Sequence, residues 1–381
     1  MADYRRRLDG LQAKMEERGL DLVVLGAGPD YQYLTGSKVE WRRGRDLAYP
    51  ADALFVPLKG DPVILAGVGS VGKAKEGWID DVHGLGMFED PAPAVKRIVA
   101  DLVGEPVKVG VGEYTWSSLT LGLATACKGA KFRSAEGLLD DLRMIKEKEE
   151  IDRLRKAAKL TENVMGRIID QVQEGETMRG LGLKIETMGR MIGASDVSFP
   201  STAGFCRSGS EPTDEVFNYE PEEPLERGTS IAFDVGFVVD GYCSDWGRSF
   251  YYGEPEENVP KAYAALQTAV LETIGAVGED VHRVNEVFPS IEKVLDREGF
   301  GDYLRARLPN GMVGHQIGVE VHEDPWLMPG NSQELVDGMV FCVEPKLWLK
   351  GEYYLRVEDM VLIKNGEAES LTNYDRMRFV L

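Results

Sequence analysis

Five ionisable residues interrupt apolar, strand-like stretches in the second half of this 381-residue chain: Asp234, Asp245, His315, Glu344 and Glu358. A carboxylate in such a stretch becomes buried on folding, and burying an ion without a partner is unfavourable by several kcal/mol. Four carboxylates and one imidazole would repel one another unless cations lie between them. We therefore expect two divalent metal ions in this part of the fold.

A predicted β-hairpin brings two of these residues together. Asp240-Gly241 lies between two apolar runs and is typical of a type I′ turn. With this turn at its centre, the hairpin sets Asp234 opposite Gly247. Asp245 is then a diagonal neighbour of Asp234 on the same face, at roughly 7 Å or less. Two ligands at this spacing suit adjacent metal ions.

A second predicted hairpin pairs two further acids. A three-residue loop, Lys350–Glu352, would set Glu344 directly opposite Glu358, although Pro345 interrupts the ladder there. Like charges that face each other destabilise a sheet, so this register again requires a cation. Arg356 shares a strand face with Glu358 and is expected to orient an inner carboxylate. The alternative is an ordinary surface arginine.

The composition excludes several classes of partner. The net charge is −20, with 64 acidic against 44 basic residues, which argues against nucleic acid or an anionic membrane as a partner. We find no apolar run near the length of about 18 residues that a transmembrane helix needs. The first 24 residues predict an amphipathic helix and a strand rather than a signal peptide. The four cysteines show no CxxC spacing, which favours reduced thiols and the cytoplasm.

The N-terminal part of the chain predicts an α/β domain over residues 1–142. Its apolar runs have strand length, and they alternate with helical patterns. The predicted strands are 21–26, 53–58, 62–67 and 107–112, and the predicted helices are 96–104 and 120–128.

The remainder predicts an α+β domain with an antiparallel sheet over residues 159–381. A linker and the start of a long amphipathic helix, predicted over 143–175, occupy residues 143–158. Two further helical patterns, 159–193 and 259–298, separate blocks that are rich in strands.

Short motifs surround each of the five ionisable residues. They are D-x-G from Asp234, G-Y-x-S-D ending at Asp245, G-H-x-I-G around His315, V-H-E-x-P from His322, E-P at Glu344 and R-x-E-D over 356–359. In these motifs the chain resembles the creatinase/prolidase/methionine-aminopeptidase superfamily, and more narrowly the Xaa-Pro dipeptidases and aminopeptidases P. YLTG at 33–36 and the segment 143–157 also match. The resemblance covers nearly the whole chain. It implies a creatinase-like N-terminal domain and a "pita-bread" catalytic domain with a curved antiparallel sheet.

The resemblance also implies a role for each ligand. Asp234 would chelate one of two divalent ions (Mn, Co, Fe or Zn), His315 and Glu344 would hold the other, and Asp245 and Glu358 would bridge them. Oxygen-rich ligation with a single histidine fits Mn, Co or Fe. A metal-bridging hydroxide would attack the amide carbonyl of a small peptide or other small amide, with Glu344 as general base.

His322 lies seven residues after His315, so the two would face opposite ways on a regular strand. The resemblance implies a bend between them, which would let His322 touch the substrate and stabilise the tetrahedral oxyanion. The alternative is a structural histidine that only forms hydrogen bonds.

One position departs from the peptidases. Where these relatives usually carry a substrate-holding histidine after proline, this chain has Thr213. A non-peptidase member of the superfamily is therefore the second interpretation, with ectoine hydrolase-like, creatinase-like or dimethylsulfoniopropionate lyase-like activity. A third is a binding protein that keeps the fold without catalysis. Such relatives typically lose ligands, whereas all five are present here.

A basic cluster follows the YLTG motif. Arg42, Arg43 and Arg45 lie in one short segment of an otherwise acidic chain. One interpretation is a solvated loop. The other is an arm that binds an anion, because dimers of this family often bring a loop of the N-terminal domain toward the partner's site. The second interpretation predicts a homodimer in which these arginines and Thr213 contact the substrate.

Overall fold

The computed structural model describes residues 3–37, 41, 52–211, 222–373 and 378–381. By its contacts the chain divides into two units, Met1–Arg143 and Met144–Leu381. Among the described helices, none combines the length and the apolar character that crossing a lipid bilayer requires.

The N-terminal unit is built around a mixed sheet of six strands within its described residues, in the order β4-β3-β2-β1-β5-β6. β2 is antiparallel to both β1 and β3, and the other pairs are parallel. All four strands predicted here from apolar runs are present. The strands are β1 Leu22–Gly26, β2 Ala53–Pro57, β3 Val63–Gly67, β4 Val82–Leu85, β5 Lys108–Val111 and β6 Lys131–Ser134.

Helices cover this sheet on both faces, as expected for strands that are apolar along their whole length. Val23 and Leu25 of β1 pack with the first helix, whereas Leu22 and Val24 pack with the fourth and fifth. The unit is therefore the predicted α/β domain. Its helices are α1 Tyr4–Arg18, α2 Pro29–Thr35, α3 Val71–Ala74, α4 Ala92–Val103 and α5 Ser117–Ala126, and α6 Asp140–Met144 follows.

The C-terminal unit contains the predicted curved antiparallel sheet, with nine strands among the described residues. The path is β14-β13-β15-β17-β12-β9-β8, and β16 and β18 also pair with the long strand β17. A small second sheet has the order β11-β10-β7. The strands are β7 Asp196–Val197, β8 Thr202–Arg207, β9 Thr229–Val235, β10 Phe237–Val239, β11 Tyr242–Cys243, β12 Trp246–Tyr252, β13 Gly314–Gln316, β14 Glu323–Trp326, β15 Val340–Val343, β16 Lys346–Leu349, β17 Tyr353–Lys364 and β18 Glu367–Ser370.

The helices of this unit leave one face of the large sheet for polar residues. Alternate residues of β9, β15 and β17, such as Phe233, Phe341 and Val357, belong to apolar clusters shared with helices. Because successive side chains alternate between faces, the residues between them point to the opposite side. The helices are α7 Lys148–Ile169, α8 Met178–Met191, α9 Asn258–Gly275, α10 Val287–Glu298 and α11 Gly301–Arg307.

Three predicted helix extents were wrong. The helix expected over 143–175 begins at Lys148, because Glu147 forms a capping box with Glu150, and it ends at Ile169. The pattern over 159–193 is the end of α7 and the separate helix α8, which Thr177 caps by accepting a hydrogen bond from the backbone N–H of Gly180. The pattern over 259–298 is α9 and α10, separated by the turn at Gly278, whose φ is +90°.

Candidate metal centre

The first predicted hairpin has the expected turn and register. Asp240 and Gly241 have φ values of +52° and +85°, which is the left-handed conformation that a type I′ turn requires at both central residues. Beyond the turn the register continues into β9 and β12, where Asp234 lies opposite Gly247. The prediction of this pairing is confirmed.

Gly247 makes room for two acids at once. It lies opposite Asp234 on one side and opposite Glu358 of β17 on the other. A Cβ atom at this position would overlap the Cδ of Arg356 and lie 2.8 Å from Oε2 of Glu358. Glycine is therefore required here by the close approach of these side chains, rather than by its backbone conformation.

The second predicted hairpin is also confirmed. Leu349 pairs with Tyr353 across the turn, and the same register holds from Lys346–Arg356 of β16 to Val343–Asp359 of β15. Pro345 interrupts the ladder without shifting it. Glu344 therefore lies opposite Glu358.

The remaining predicted ligands join this group. His315 of β13 is buried, and its Nε2 lies 3.7 Å from Oδ2 of Asp245 and 3.9 Å from Oε1 of Glu344. Four residues each contribute one possible ligand atom to a group whose members lie within 4.8 Å of one another: Asp245, His315, Cys342 and Glu358. All five residues predicted as ligands are thus brought together, with Asp234 the most exposed of them.

Two buried cations lie among these acids. Arg356 forms ion pairs with Asp234 and Glu344, at 3.2 Å for the latter, and its Nη1 lies 3.7 Å from Oε2 of Glu358. Lys346 forms an ion pair with Glu344. The prediction that Arg356 orients an inner carboxylate agrees with this geometry, and the surface alternative does not. Lys346 was missed.

The positive charges of Arg356 and Lys346 do not neutralise all of these carboxylates, and the pKa values reflect this. Burial raises the pKa of Asp245 well above its usual value, and Glu358, Asp234 and Glu344 raise it further. Burial likewise raises the pKa of Glu358 to about 8, with a further contribution from Glu344. Burial would also raise the pKa of Glu344, but Lys346 and Arg356 outweigh this effect and lower it. Burial lowers the pKa of His315 to about 4, so its ring is neutral near pH 7.

Three carboxylate oxygens at the centre accept no hydrogen bond from the part of the chain that the structure describes. They are Oδ1 of Asp245 and both oxygens of Glu358. A buried carboxylate normally has such partners, and a neutral imidazole with several carboxylates is a donor set that binds divalent metal ions. The residues therefore fit a divalent ion.

His322 is brought to the centre by the bend that the resemblance implied. β13 ends at Gln316, its pairing with β14 is irregular at this point, and the chain turns back. The ring centroids of His315 and His322 are 4.4 Å apart, and the ring centroids of His322 and Trp326 are 5.2 Å apart.

The bend is held by a buried polar cluster. Nζ of Lys146 lies 3.2 Å from Oε2 of Glu323, the residue after His322, and also donates a hydrogen bond to the side chain of Gln316. Oε1 of Glu323 accepts a hydrogen bond of 3.2 Å from the backbone N–H of Glu320. This cluster fixes the segment 317–323, which carries His322.

The other predicted site residues lie outside the described part of the chain: Thr213, Arg42, Arg43 and Arg45. The residues that sequence reasoning missed are Cys342, Lys346, Lys146 and Glu323. The alternation of side chains along a strand would have placed Cys342 and Lys346 on the same face as Glu344, because the three residues are spaced two apart. No pattern in the sequence relates Lys146 to Glu323.

Comparison with known proteins supports the fold and places the chain among metal-dependent peptidases. Residues 152–365 match metallopeptidase family M24, and residues 7–145 match the creatinase/prolidase N-terminal domain. The chain belongs to metallopeptidase family M24.

Individual relatives extend over nearly the whole chain. The probable dipeptidase PepE of Mycobacterium tuberculosis is 30% identical over 382 residues, covering 97% of this chain and 94% of that protein. An Xaa-Pro dipeptidase of Pyrococcus furiosus is 24% identical over 377 residues, covering 98% and 99%. The crystal structure of a prolidase from Thermococcus sibiricus covers 100% of both chains, with 27% identity and a TM-score of 0.84.

Proposed function

We propose that this metallopeptidase is a dinuclear Xaa-Pro dipeptidase or aminopeptidase. The observation that carries the proposal is the set of buried carboxylate oxygens of Asp245 and Glu358 that have no hydrogen-bond partner among the described residues. Two divalent ions (Mn, Co, Fe or Zn) would satisfy them. Asp234 would hold one ion, His315 and Glu344 would hold the other, and Asp245 and Glu358 would lie between them.

When bound, the two ions would polarise the substrate carbonyl and activate a water molecule for attack. Glu344 would accept the proton of the attacking water. Lys346 and Arg356 lower the pKa of Glu344, so its carboxylate is ionised near neutral pH. Arg356 would orient Asp234 and Glu344 through its ion pairs with both. His322 would donate a hydrogen bond to the oxygen on which negative charge develops.

The names of the relatives support a proline-containing substrate. Dipeptidase, Xaa-Pro dipeptidase and prolidase recur among the names of proteins that match at least 97% of this chain. Thr213, in place of the usual histidine, favours the second candidate, a non-peptidase amide hydrolase or lyase of the same superfamily. A non-catalytic binding protein is disfavoured because the five ligands and their cations are all present.

We further propose that the protein is a homodimer and acts in the cytoplasm. In the dimer, Arg42, Arg43 and Arg45 would reach the partner's site and bind a substrate carboxylate, which Arg can grip with two hydrogen bonds. None of the four cysteines, all of which lie in the described part of the chain, forms a disulfide, which is compatible with a reducing compartment. Replacing each arginine by Ala should raise KM in at least one variant without changing metal content. Unchanged kinetics in all three variants, or full activity of a monomer, would show that the segment is only a solvated loop.

The metal proposal is tested by elemental analysis after reconstitution with Mn or Co. We expect about two ions per chain in the wild type, and a loss of most metal and activity in Asp245→Ala. Asp302→Ala is the control, because the side chain of Asp302 is 92% exposed. A wild-type protein that retains no metal after reconstitution would contradict the dinuclear centre.

The substrate proposal is tested by a hydrolysis screen of the Mn-loaded protein. The panel contains Xaa-Pro dipeptides, longer Xaa-Pro peptides, and cyclic or N-methylated amides. Turnover of the dipeptides or the longer peptides supports the first candidate. Turnover restricted to the non-peptide amides supports the second.

A further inference from the structure

Cys342 lies on the same face of the sheet as the predicted metal ligands. In β15 it pairs with His315 of β13 on one side and with Met360 of β17 on the other. Paired residues share a face, and so do residues two apart on a strand, so Cys342 also shares this face with Glu344. Its side chain is completely buried.

The surroundings of Cys342 are unlike those of an ordinary buried thiol. Buried cysteines usually behave as small apolar residues. Cys206 does so, in an apolar cluster with Ala232, Trp348 and Tyr354. The Sγ atom of Cys342, in contrast, belongs to the group of ligand atoms within 4.8 Å of one another, with Asp245, His315 and Glu358.

Two neighbours of the thiol independently indicate a cation. Asp245 and Glu358 are at least nine-tenths buried, and they supply the three carboxylate oxygens that accept no hydrogen bond from the described residues. Metal–sulfur bonds are about 2.3 Å and metal–oxygen bonds about 2.0–2.2 Å, so a sulfur and an oxygen ligand of one ion lie at most about 4.5 Å apart. The ligand atoms, which lie within 4.8 Å of one another, therefore need only small side-chain movements to bind one shared ion.

We propose that the thiol of Cys342 is an additional ligand of one metal ion, which gives this site a mixed sulfur, nitrogen and oxygen donor set. The inference rests on the proposed metal centre. A coordinated thiol loses its proton to solvent and binds as the thiolate. Because thiolate is a soft ligand, it should favour Zn and Co over Mn more strongly than the oxygen-rich set alone would.

The test is the absorption spectrum of the Co(II)-loaded protein, with cobalt content measured on the same samples. A thiolate ligand gives an intense sulfur-to-cobalt charge-transfer band in the near ultraviolet. We expect this band in the wild type and in Cys206→Ser, which replaces another buried thiol of the same unit. We expect it to be absent from Cys342→Ser, with cobalt still bound.

The possible outcomes separate this inference from the proposed function. If cobalt binds but the wild type lacks the band, or Cys342→Ser retains it, the inference is overturned while the metal centre stands. If no cobalt binds, the metal centre itself fails. If Cys342→Ser does not fold, X-ray absorption of the Zn-loaded wild type decides. A zinc–sulfur shell at about 2.3 Å supports the inference, and a shell of only nitrogen and oxygen overturns it.

Metal preference provides a second readout. Losing a ligand should weaken zinc binding by on the order of tenfold or more. Manganese, which favours oxygen donors, should be affected less. In competition titrations, Cys342→Ser should therefore show a lower ratio of zinc to manganese affinity than Cys206→Ser. An unchanged ratio would contradict the inference.

Discussion

Nζ of Lys146 lies 3.2 Å from Oε2 of Glu323, and the two side chains are only 1% and 5% exposed. Removing one partner would leave the other charge buried without compensation, which is unfavourable by about 3–5 kcal/mol. We predict a loss of this size for Lys146→Met in urea unfolding of the metal-free protein. The double variant Lys146→Met/Glu323→Leu should recover most of it, because an apolar pair leaves no buried charge.

The matched control is an exposed ion pair, Lys364 with Glu369 at 3.4 Å. Exposed pairs contribute at most about 1 kcal/mol, so Lys364→Met should change stability little. A loss in Lys146→Met no larger than in Lys364→Met would show that the buried pair does not stabilise the segment that carries His322.

Gly247→Ala should disrupt the metal centre. The added methyl group would overlap Arg356 and press against Glu358, and overpacking of this kind typically reduces stability by about 1–3 kcal/mol. We expect metal affinity to fall by at least about tenfold, measured by titration with Co(II), because two residues of the centre are displaced.

Gly166→Ala is the control for Gly247→Ala. Gly166 lies in α7, and a Cβ there would have no heavy atom within 4 Å. Alanine favours a helix over glycine by up to about 1 kcal/mol, so this variant should be as stable as the wild type or more so. Equal metal affinity in both variants would contradict the crowding inferred at Gly247.

Metal binding should release protons near pH 7. The pKa of Glu358, about 8, and the raised pKa of Asp245 mean that these acids hold protons that a metal ion must displace. His315, with a pKa of about 4, is already neutral and releases none. Metal affinity should therefore increase as the pH rises through the pKa of Glu358, about 8. Calorimetry in buffers of different ionisation enthalpy measures the number of protons released.

Two variants check the source of these protons. Glu358→Gln should bind metal more weakly and release fewer protons. Glu344→Gln should also bind more weakly. It should reduce proton release less than Glu358→Gln does, because Glu344 is itself ionised and acts only by raising the pKa of Glu358 and Asp245. No proton release in the wild type would show that the acids are ionised before metal binds.

Substrate selectivity should depend on Thr213. If the relatives' histidine holds the substrate, the wild type should turn over Xaa-Pro dipeptides weakly, and Thr213→His should increase kcat/KM. The comparison requires equal metal content in the two proteins. Strong dipeptidase activity in the wild type that Thr213→His leaves unchanged would show that the threonine is harmless.

The acid cluster could be predicted because local features determine it. A two-residue turn at Asp240-Gly241 and a three-residue turn at Gly351 fix the registers of two hairpins. Strand alternation then assigns a face to every ligand. Arg356 was predicted in this way, and strand alternation also places Lys346, but Lys146 could not be predicted from local features. Lys146 is more than 170 residues from Glu323 in sequence, and only the folded chain brings such residues together.

The helix extents failed for a different reason. Apolar periodicity continues across the breaks after Ile169 and Gly275, and only capping interactions and turns end the helices there. The place of Cys342 beside the predicted ligands was missed because a cysteine in an apolar strand is usually a core residue. Its position opposite His315 becomes evident only once β13 is paired with β15.

The turn at Lys350–Glu352 constrains how this gene can vary. Because Leu349 pairs with Tyr353 across it, the number of residues in the turn fixes which side chains of β16 face those of β17. Inserting or deleting one residue would move Lys346 to the other face or force a bulge, since a one-residue slip reverses every side chain. The length of the turn is therefore fixed, and so is the glycine at 351, whose φ is +74°, whereas Lys350 and Glu352 are not constrained in this way. Loss of a single codon there could inactivate the enzyme while every ligand remained encoded.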